Sequence, residues 1–198
     1  MTNVDVLFNQ LVDLGQHPKE KADTITILEK IGHFLDEQVT DLYYDYRDGN
    51  LSKKEISKHI EQNLNVEEIL TQSAKKWDGG YVISGLFGHG DAFVMRDSHG
   101  IRPAYYYQDD EVVVVASERP AIQTVFNVSY DDVHELDPGH AFIIKKNGST
   151  SLKKVLEPTE RKACSEILSE AAIFFSTLSS ELLISPSATA IPMRYCNK

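Results

Sequence analysis

The first part of the chain carries apolar residues at the spacing of amphipathic helices. A short stripe ends at Gly15 and consists of Val6, Leu7, Leu11, Val12 and Leu14. A longer stripe has steps of three or four and consists of Ile25, Leu28, Ile31, Leu35, Val39 and Leu42. It predicts one helix from about Ala22 to Tyr46. Ser52 and Glu55 then form a capping-box pattern, which predicts helices over residues 53–62 and 66–76.

After Trp77 the pattern becomes that of paired strands. Three pairs of strand-like runs flank turns rich in Gly, Asp and Asn: 81–86 with 92–96, 104–107 with 112–116, and 140–145 with 151–155. The unbroken apolar run from Val112 to Val115 predicts a strand covered on both faces. Helices followed by successive hairpins predict an α+β fold, with an antiparallel sheet and flanking helices.

The amino-acid composition changes at Cys164. Residues 165–198 contain no glycine, are rich in Ser, Ala, Leu and Ile, and suggest a helix only over 166–184. This break predicts one domain over residues 1–163. Residues 164–198 are then a divergent C-terminal tail, and the change of composition raises the hypothesis that they are read out of frame.

Composition narrows the classes of function. The net charge of −10, with no cluster of Lys and Arg, argues against a nucleic-acid partner. No apolar run approaches the roughly 18 residues of a membrane span, and the N-terminus does not resemble a signal peptide, so we expect a cytoplasmic protein without a membrane partner. The two cysteines and seven histidines form no ligand set, so no metal site is expected.

Two segments combine glycines with charged residues. Gly79 and Gly80 open a strand, which indicates either a tight turn or close approach of another group to the backbone. Residues 96–103 read Arg-Asp-Ser-His-Gly-Ile-Arg-Pro, with a turn at Gly100 and a fixed exit at Pro103.

An arginine in the second segment has two interpretations. It either clamps a carboxylate of a ligand or ties a structural corner, with Arg96 or Arg102 bound to Asp97 or Glu118. Residue chemistry alone favours the structural corner.

Two further segments have simple structural interpretations. In Ala116-Ser117-Glu118-Arg119-Pro120 a strand passes into a short helix, with Ser117 as the predicted N-cap. The segment Asp137-Pro138-Gly139-His140 is a Pro-Gly turn that leads into a strand.

The order and spacing of these four segments resemble the glutaminase domains of class II glutamine amidotransferases. These are N-terminal-nucleophile hydrolases built as an αββα sandwich, so the resemblance implies a partial sandwich over roughly residues 1–165. Within the class, residues 96–103 and the Pro-Gly-x-Ala of residues 138–141 look most like amidophosphoribosyltransferases, which catalyse the first step of purine biosynthesis. Asparagine synthetases are similar there but usually carry Lys before the proline.

The resemblance also implies roles for individual residues. Asp23 matches the family's aspartate that accepts hydrogen bonds from the substrate α-ammonium, beside Gly79 or Gly80; a helix N-cap is the alternative role for Asp23. Residues 1–3 match those that follow the family's oxyanion-hole Asn-Gly. The cysteine nucleophile would therefore lie upstream. We assign no catalytic residue and expect this chain to be inactive alone.

For the parent family, the resemblance implies glutamine as substrate and a separate phosphoribosyltransferase domain as partner. It also implies homo-oligomers, Mg²⁺ and, in some members, an iron–sulfur cluster, one of whose ligands matches Cys164. We expect no cofactor in this chain itself. Without the upstream strands, an unpaired sheet edge and apolar surface are expected.

Three other functions remain open. In the first, the chain belongs to another class II amidotransferase, such as an asparagine synthetase. In the second, it is a hydrolase whose nucleophile is Thr2, exposed by removal of Met1. In the third, it is a non-catalytic module that binds glutamine through Asp23 and the glycine-rich strand.

Overall fold

The computed structural model describes residues 1–47, 49 and 51–159. Five helices occur in this part of the chain: α1 Val4–Asp13, α2 Asp23–Arg47, α3 Lys53–Asn63, α4 Val66–Ala74 and α5 Arg119–Phe126. Its strands are β1 Val82–Leu86, β2 Ala92–Arg96, β3 Tyr105–Gln108, β4 Val113–Ala116, β5 His134–Glu135, β6 His140–Ile144 and β7 Thr150–Lys154. The fold is therefore a mixture of helices and antiparallel sheet, as the sequence predicts.

The strands form two antiparallel sheets. The first and third predicted hairpins join through pairing of β2 with β6, which gives a four-stranded sheet of order β1-β2-β6-β7. The middle hairpin belongs to a separate three-stranded sheet of order β4-β3-β5. The short strand β5 was not predicted, because two residues are too few to show an alternating pattern.

The two faces of the four-stranded sheet contact different layers. Phe93, Met95 and Ile143 pack in one core with apolar side chains of α1, α2 and α4. Val94 and Phe142, which alternate with them, pack in a second core with side chains of the three-stranded sheet. The period of two along β2 and β6 thus places helices on one face and the second sheet on the other. Helix α5 contacts β3 and β4.

The predicted helices are confirmed, with small shifts at their ends. Helix α1 stops before Gly15, whose φ is +80°, as expected for a residue that ends a helix. The capping box is present, because the Ser52 side chain accepts from the Glu55 N–H and the Glu55 carboxylate accepts from the Ser52 N–H.

Two local predictions are wrong. The strand β4 is half-buried along its whole length and lies at a sheet edge, so the apolar run Val112–Val115 is not covered on both faces. Ser117 is not the N-cap of α5; that position is taken by Glu118, which makes no side-chain capping bond. Pro120 at the second helical position, with its fixed φ, supports a helix start at Arg119.

Candidate functional site

Asp23 binds an ammonium group. It is the first residue of α2, and its carboxylate accepts a hydrogen bond from the α-ammonium of Met1. The Met1 side chain is almost fully enclosed, although the residue as a whole is half-buried, and the Asp23 side chain is 45% exposed. An anion at a helix N-terminus is favoured by the helix dipole, and here it also pairs with a cation. The hydrogen bond described for this carboxylate is thus to an ammonium rather than a helix cap.

The two adjacent glycines face different neighbours. Gly79 has φ +108°, and a Cβ built on it would lie 3.2 Å from the Met1 Cα and from the Thr2 nitrogen. A Cβ on Gly80 would lie 2.6 Å from the Ile101 side chain. Of the pair, Gly79 therefore lines the surroundings of the Asp23-bound ammonium, while Gly80 allows the segment of residues 96–103 to approach.

Asp78 holds the next residues of the chain. The Thr2 N–H donates to the Asp78 carbonyl at 3.1 Å, and the Thr2 hydroxyl donates to the Asp78 carboxylate. Asn3 adds a hydrogen bond to the Lys76 carbonyl at 2.6 Å. We call Asp23, Asp78 and Gly79 the ammonium corner, because two carboxylates and a glycine surround residues 1 and 2. Thr2 is exposed and directly precedes Asn3, the N-cap of helix α1, outside any strand.

A buried lysine ties α2 to the loop that carries the glycines. Lys30 is 5% exposed, and its ammonium donates to the Lys75 carbonyl at 2.8 Å. Burial, with smaller contributions from the charges of Lys76 and Lys75, lowers the pKa of Lys30 from 10.5 to about 8. Lys30 was not predicted from the sequence, where its one signal is its place beside Ile31 in the apolar stripe.

Three buried polar groups lie on α2 and on the segment that precedes β1. The Thr26 hydroxyl, the Trp77 indole N–H and the Tyr81 hydroxyl have no hydrogen-bond partner among the described residues. The Trp77 and Tyr81 rings meet edge to face, with centroids 5.6 Å apart. Burial and the nearby charges of Asp97 and Asp78 raise the pKa of Tyr81, which keeps its hydroxyl neutral.

Arg96 is enclosed by acceptors of its own chain. Its guanidinium donates to the carbonyls of Arg102 at 2.7 Å, Leu136 at 2.5 Å and Gly100 at 2.9 Å, and to the Glu135 carboxylate at 2.7 Å. These bonds engage four of the five N–H donors of the guanidinium within the corner. This arrangement is the structural corner, although the partner carboxylate is Glu135 rather than Asp97 or Glu118.

Asp97 organises the turn that follows. Its fully buried carboxylate accepts backbone hydrogen bonds from Tyr81, His99, Ile101 and Arg102, at distances between 3.0 and 3.2 Å. The turn needs Gly100, whose φ is +60° and whose Cβ would lie 2.7 Å from the Pro138 ring. The segments 96–103 and 137–140 are therefore packed against each other.

Four other residues singled out in the sequence make no described contact with the ammonium corner. Arg102 is exposed, and the hydrogen bonds described for it are made by its backbone N–H, to Asp97, and by its carbonyl, from Arg96. Pro103 is half-buried, and Ser117 and Glu118 are exposed near the start of α5. The structure thus brings together Asp23 and Gly79, but it shows no contact of these four residues with that pair.

One prediction about a cofactor ligand falls on a residue that the structure does not describe. Cys164 and the tail over 164–198, including the helix suggested over 166–184, lie outside the described residues. Within residues 1–47, 49 and 51–159, no group of three or more His, Cys, Asp or Glu side chains is arranged to hold a metal ion.

Comparison with known proteins found a protein similar to part of the sequence and a solved structure similar in fold. No family model matches the chain. A protein of Methanothermobacter thermautotrophicus, which carries the provisional name glutamine amidotransferase, is 31% identical over 86 residues. The matched region is 42% of this chain and 27% of that protein.

The solved glutamine phosphoribosylpyrophosphate amidotransferase of B. subtilis, in complex with ADP and GMP, is similar in fold. It aligns with a TM-score of 0.51 and 21% identity, over 79% of this chain and 27% of that one. The chain thus spans about a quarter of the length of both proteins. The described residues therefore have an amidotransferase-like fold.

No helix in the described part of the chain is both long and apolar enough to cross a bilayer.

Proposed function

We propose that residues 1–163 are part of a class II glutamine amidotransferase domain, and that the ammonium corner binds the α-ammonium of glutamine. The observation that carries the proposal is the hydrogen bond between Asp23 and an α-ammonium beside Gly79. A free α-amino acid presents the same cation. The amidotransferase-like fold supports glutamine as that amino acid.

In this proposal the parent enzyme is an amidophosphoribosyltransferase with an αββα glutaminase domain. It hydrolyses glutamine and transfers the ammonia to phosphoribosyl pyrophosphate in a phosphoribosyltransferase domain. The form of residues 96–103 supports this choice over an asparagine synthetase, because Arg102 stands before the proline. Homo-oligomers and a cytoplasmic location follow from the same proposal.

The 198-residue polypeptide is proposed to be catalytically inactive by itself. The nucleophile of the family is a cysteine thiol activated by its own α-amino group, and the two cysteines here are Cys164 and Cys196. Both cysteines lie outside the described residues, so the described surroundings of Asp23 include no thiol for acyl transfer. We expect no release of glutamate from glutamine above that of a mock preparation made without the chain.

Binding of glutamine is the direct test, because it does not require the nucleophile. The Met1 α-ammonium already pairs with the Asp23 carboxylate, so the test compares two forms of the chain. One form retains Met1, and an aminopeptidase has removed Met1 from the other. Mass spectrometry verifies each form. We expect saturating glutamine to stabilise the second form by about 1–3 kcal/mol, and the first form less. Thermal unfolding over a glutamine titration measures both.

Two controls isolate recognition of the ammonium. Glutaramate has the amide and carboxylate of glutamine but lacks the α-ammonium, so it should not stabilise either form. Asp23→Asn removes the charge that pairs with the ammonium and should abolish the effect of glutamine. A melting temperature that stays constant with glutamine in both forms of the native chain would exclude the proposed site.

A further inference from the structure

A cavity of about 440 Å³ lies where three separate segments of the chain meet. Its walls come from helix α3, from the turn between β1 and β2, and from the residues that directly follow β6. More basic than acidic side chains line it: Lys58, Lys145, Lys146 and His89, with Glu61 and Asp91. The lining therefore carries an excess of positive charge even with His89 neutral, although the net charge of the chain is −10.

The carboxylate of Asp91 is buried and is satisfied by its own chain. Its Oδ1 accepts from the Lys146 backbone N–H at 2.9 Å, while its Oδ2 accepts from the Lys145 ammonium at 2.7 Å and lies 3.0 Å from His89 Nε2. Burial alone would raise the pKa of Asp91, but these contacts outweigh it and lower the pKa, so the carboxylate stays charged. Asp91 thus holds Lys145 and His89 at the cavity wall, and Lys145 offsets its charge.

The charges of Lys58 and Lys146 are not offset in this way. Neither ammonium has a hydrogen bond or an ion pair with any residue in the described part of the chain. The stem of Lys146 packs on Gly90, where an added Cβ would lie 3.2 Å from the Lys146 Cγ. The cavity is therefore lined by two ammonium groups that still lack an anion.

Asn147 adds neutral donors to the same wall. Its Oδ1 accepts from the Ser149 N–H at 3.0 Å and from the Ser149 hydroxyl at 2.8 Å, which fixes the amide and leaves its two N–H donors for another acceptor. Ammonium and amide donors from α3 and from the turn after β6 thus converge on one cavity. Such a set suits an anion with several oxygens.

We propose that this cavity binds the phosphate group of a small phosphorylated molecule. A phosphate group offers three strong acceptor oxygens and close to two negative charges, so it accepts from Lys58, Lys146 and Asn147 at once. A carboxylate has only two oxygens and one charge. Lysine is an established phosphate ligand, acting as a point charge.

The size and charge of the chain select a small molecule. A volume of about 440 Å³ exceeds that of a phosphate group and falls within the roughly 300–1,000 Å³ of small-molecule sites. Glu61 and Gln62 line the same cavity and offer acceptor oxygens to hydroxyl groups of an organic part. The net charge of −10 repels a polyanion such as RNA at longer range, so a nucleic acid is disfavoured.

Isothermal titration calorimetry of the full 198-residue chain tests the proposal at constant ionic strength. Glycerol 3-phosphate should bind with a dissociation constant of about 1 mM or less, and glycerol, which lacks the phosphate, should not bind. Inorganic phosphate identifies which part is recognised. Equal affinities for the two phosphates mean that the site recognises phosphate alone, and tighter binding of glycerol 3-phosphate means that the organic part also occupies the cavity.

Two substitutions locate the binding site. Lys58→Gln and Lys146→Gln each remove one of the ammonium groups and should raise the dissociation constant of glycerol 3-phosphate by about fivefold or more. Both residues are exposed, so circular dichroism should show an unchanged fold. The matched control is Lys19→Gln, which makes the same change of net charge at an exposed lysine that does not line the cavity. It should leave the dissociation constant unchanged.

Three results would overturn the proposal. The first is no measurable binding of either phosphate. The second is binding that Lys58→Gln and Lys146→Gln leave intact, and the third is an equal loss of affinity in Lys19→Gln, which would show an effect of net charge alone. The cavity includes no residue of the ammonium corner and the titrations contain no glutamine, so the result is independent of the proposed function.

Discussion

The carboxylate of Asp97 accepts a hydrogen bond from the backbone N–H of Tyr81 at 3.2 Å. Tyr81 directly follows the glycine pair, whereas Asp97 begins the turn after β2. The Tyr81 carbonyl accepts from the Asp97 N–H at 3.0 Å, so the two residues are joined in both directions. Asp97 thus connects the loop of the ammonium corner to the turn of residues 98–102.

This relationship predicts that Asp97→Asn destabilises the fold by about 2–4 kcal/mol. The buried carboxylate accepts four backbone hydrogen bonds. An amide has only one oxygen, and its NH₂ group would face backbone donors, so at least one N–H loses its acceptor in a buried place. Urea unfolding followed by circular dichroism measures the change in the free energy of unfolding.

The control is Asp110→Asn, at an exposed aspartate in the turn between β3 and β4. It should change stability by less than about 0.5 kcal/mol. Equal effects of the two substitutions would show that Asp97 does not organise the turn.

The sequence predicted the parts of the fold that depend on local spacing. Helix α2 follows from a stripe within one segment, and each predicted hairpin follows from two neighbouring runs and their turn. The partner of Arg96 could not be predicted, because Glu135 lies 39 positions away and β5 has no pattern of its own. For the same reason the sequence could propose Asp23 as an ammonium ligand by resemblance but could not foresee its contact with Met1.

The turn glycines predict a graded effect of added side chains. Gly139 has φ +72°, and a Cβ there would lie 2.4 Å from the Leu156 carbonyl oxygen. Gly148 has φ +84° and open space around it. Gly148→Ala should cost about 1 kcal/mol from the left-handed conformation, and Gly139→Ala clearly more, because backbone must also move.

Urea unfolding of the two alanine variants measures the difference. Because both glycines have similar φ, their comparison separates the clash from the conformational cost. Gly139→Ala with a loss no larger than that of Gly148→Ala would mean that the chain near Leu156 yields without strain.

The buried Lys30 predicts a dependence of stability on alkaline pH. Its pKa is lowered to about 8 in the folded state from 10.5, so between these values the unfolded chain binds the proton and the folded chain does not. The contribution of Lys30 to stability therefore rises with pH from about 8 to about 10.5, by on the order of 3 kcal/mol.

The measurement is the difference between the unfolding free energies of the native chain and Lys30→Met over this pH range. The difference isolates Lys30 from Tyr81, whose raised pKa acts in the opposite direction above pH about 10, since the folded state then retains a proton that the unfolded state loses. A difference that does not vary with pH would mean that Lys30 is charged equally in both states.

The two arginines of residues 96–103 predict opposite outcomes for the same substitution. Arg96→Lys replaces a buried fork of donors, which reaches three carbonyls and Glu135, by a single ammonium that cannot span them. We expect a loss of about 2–4 kcal/mol. Arg102→Lys alters an exposed side chain whose backbone N–H still donates to Asp97, so stability should stay within about 0.5 kcal/mol. Urea unfolding of both variants measures the two changes in the free energy of unfolding. Comparable losses would show that the Arg102 guanidinium also supports the corner, which leaves it less free for a ligand.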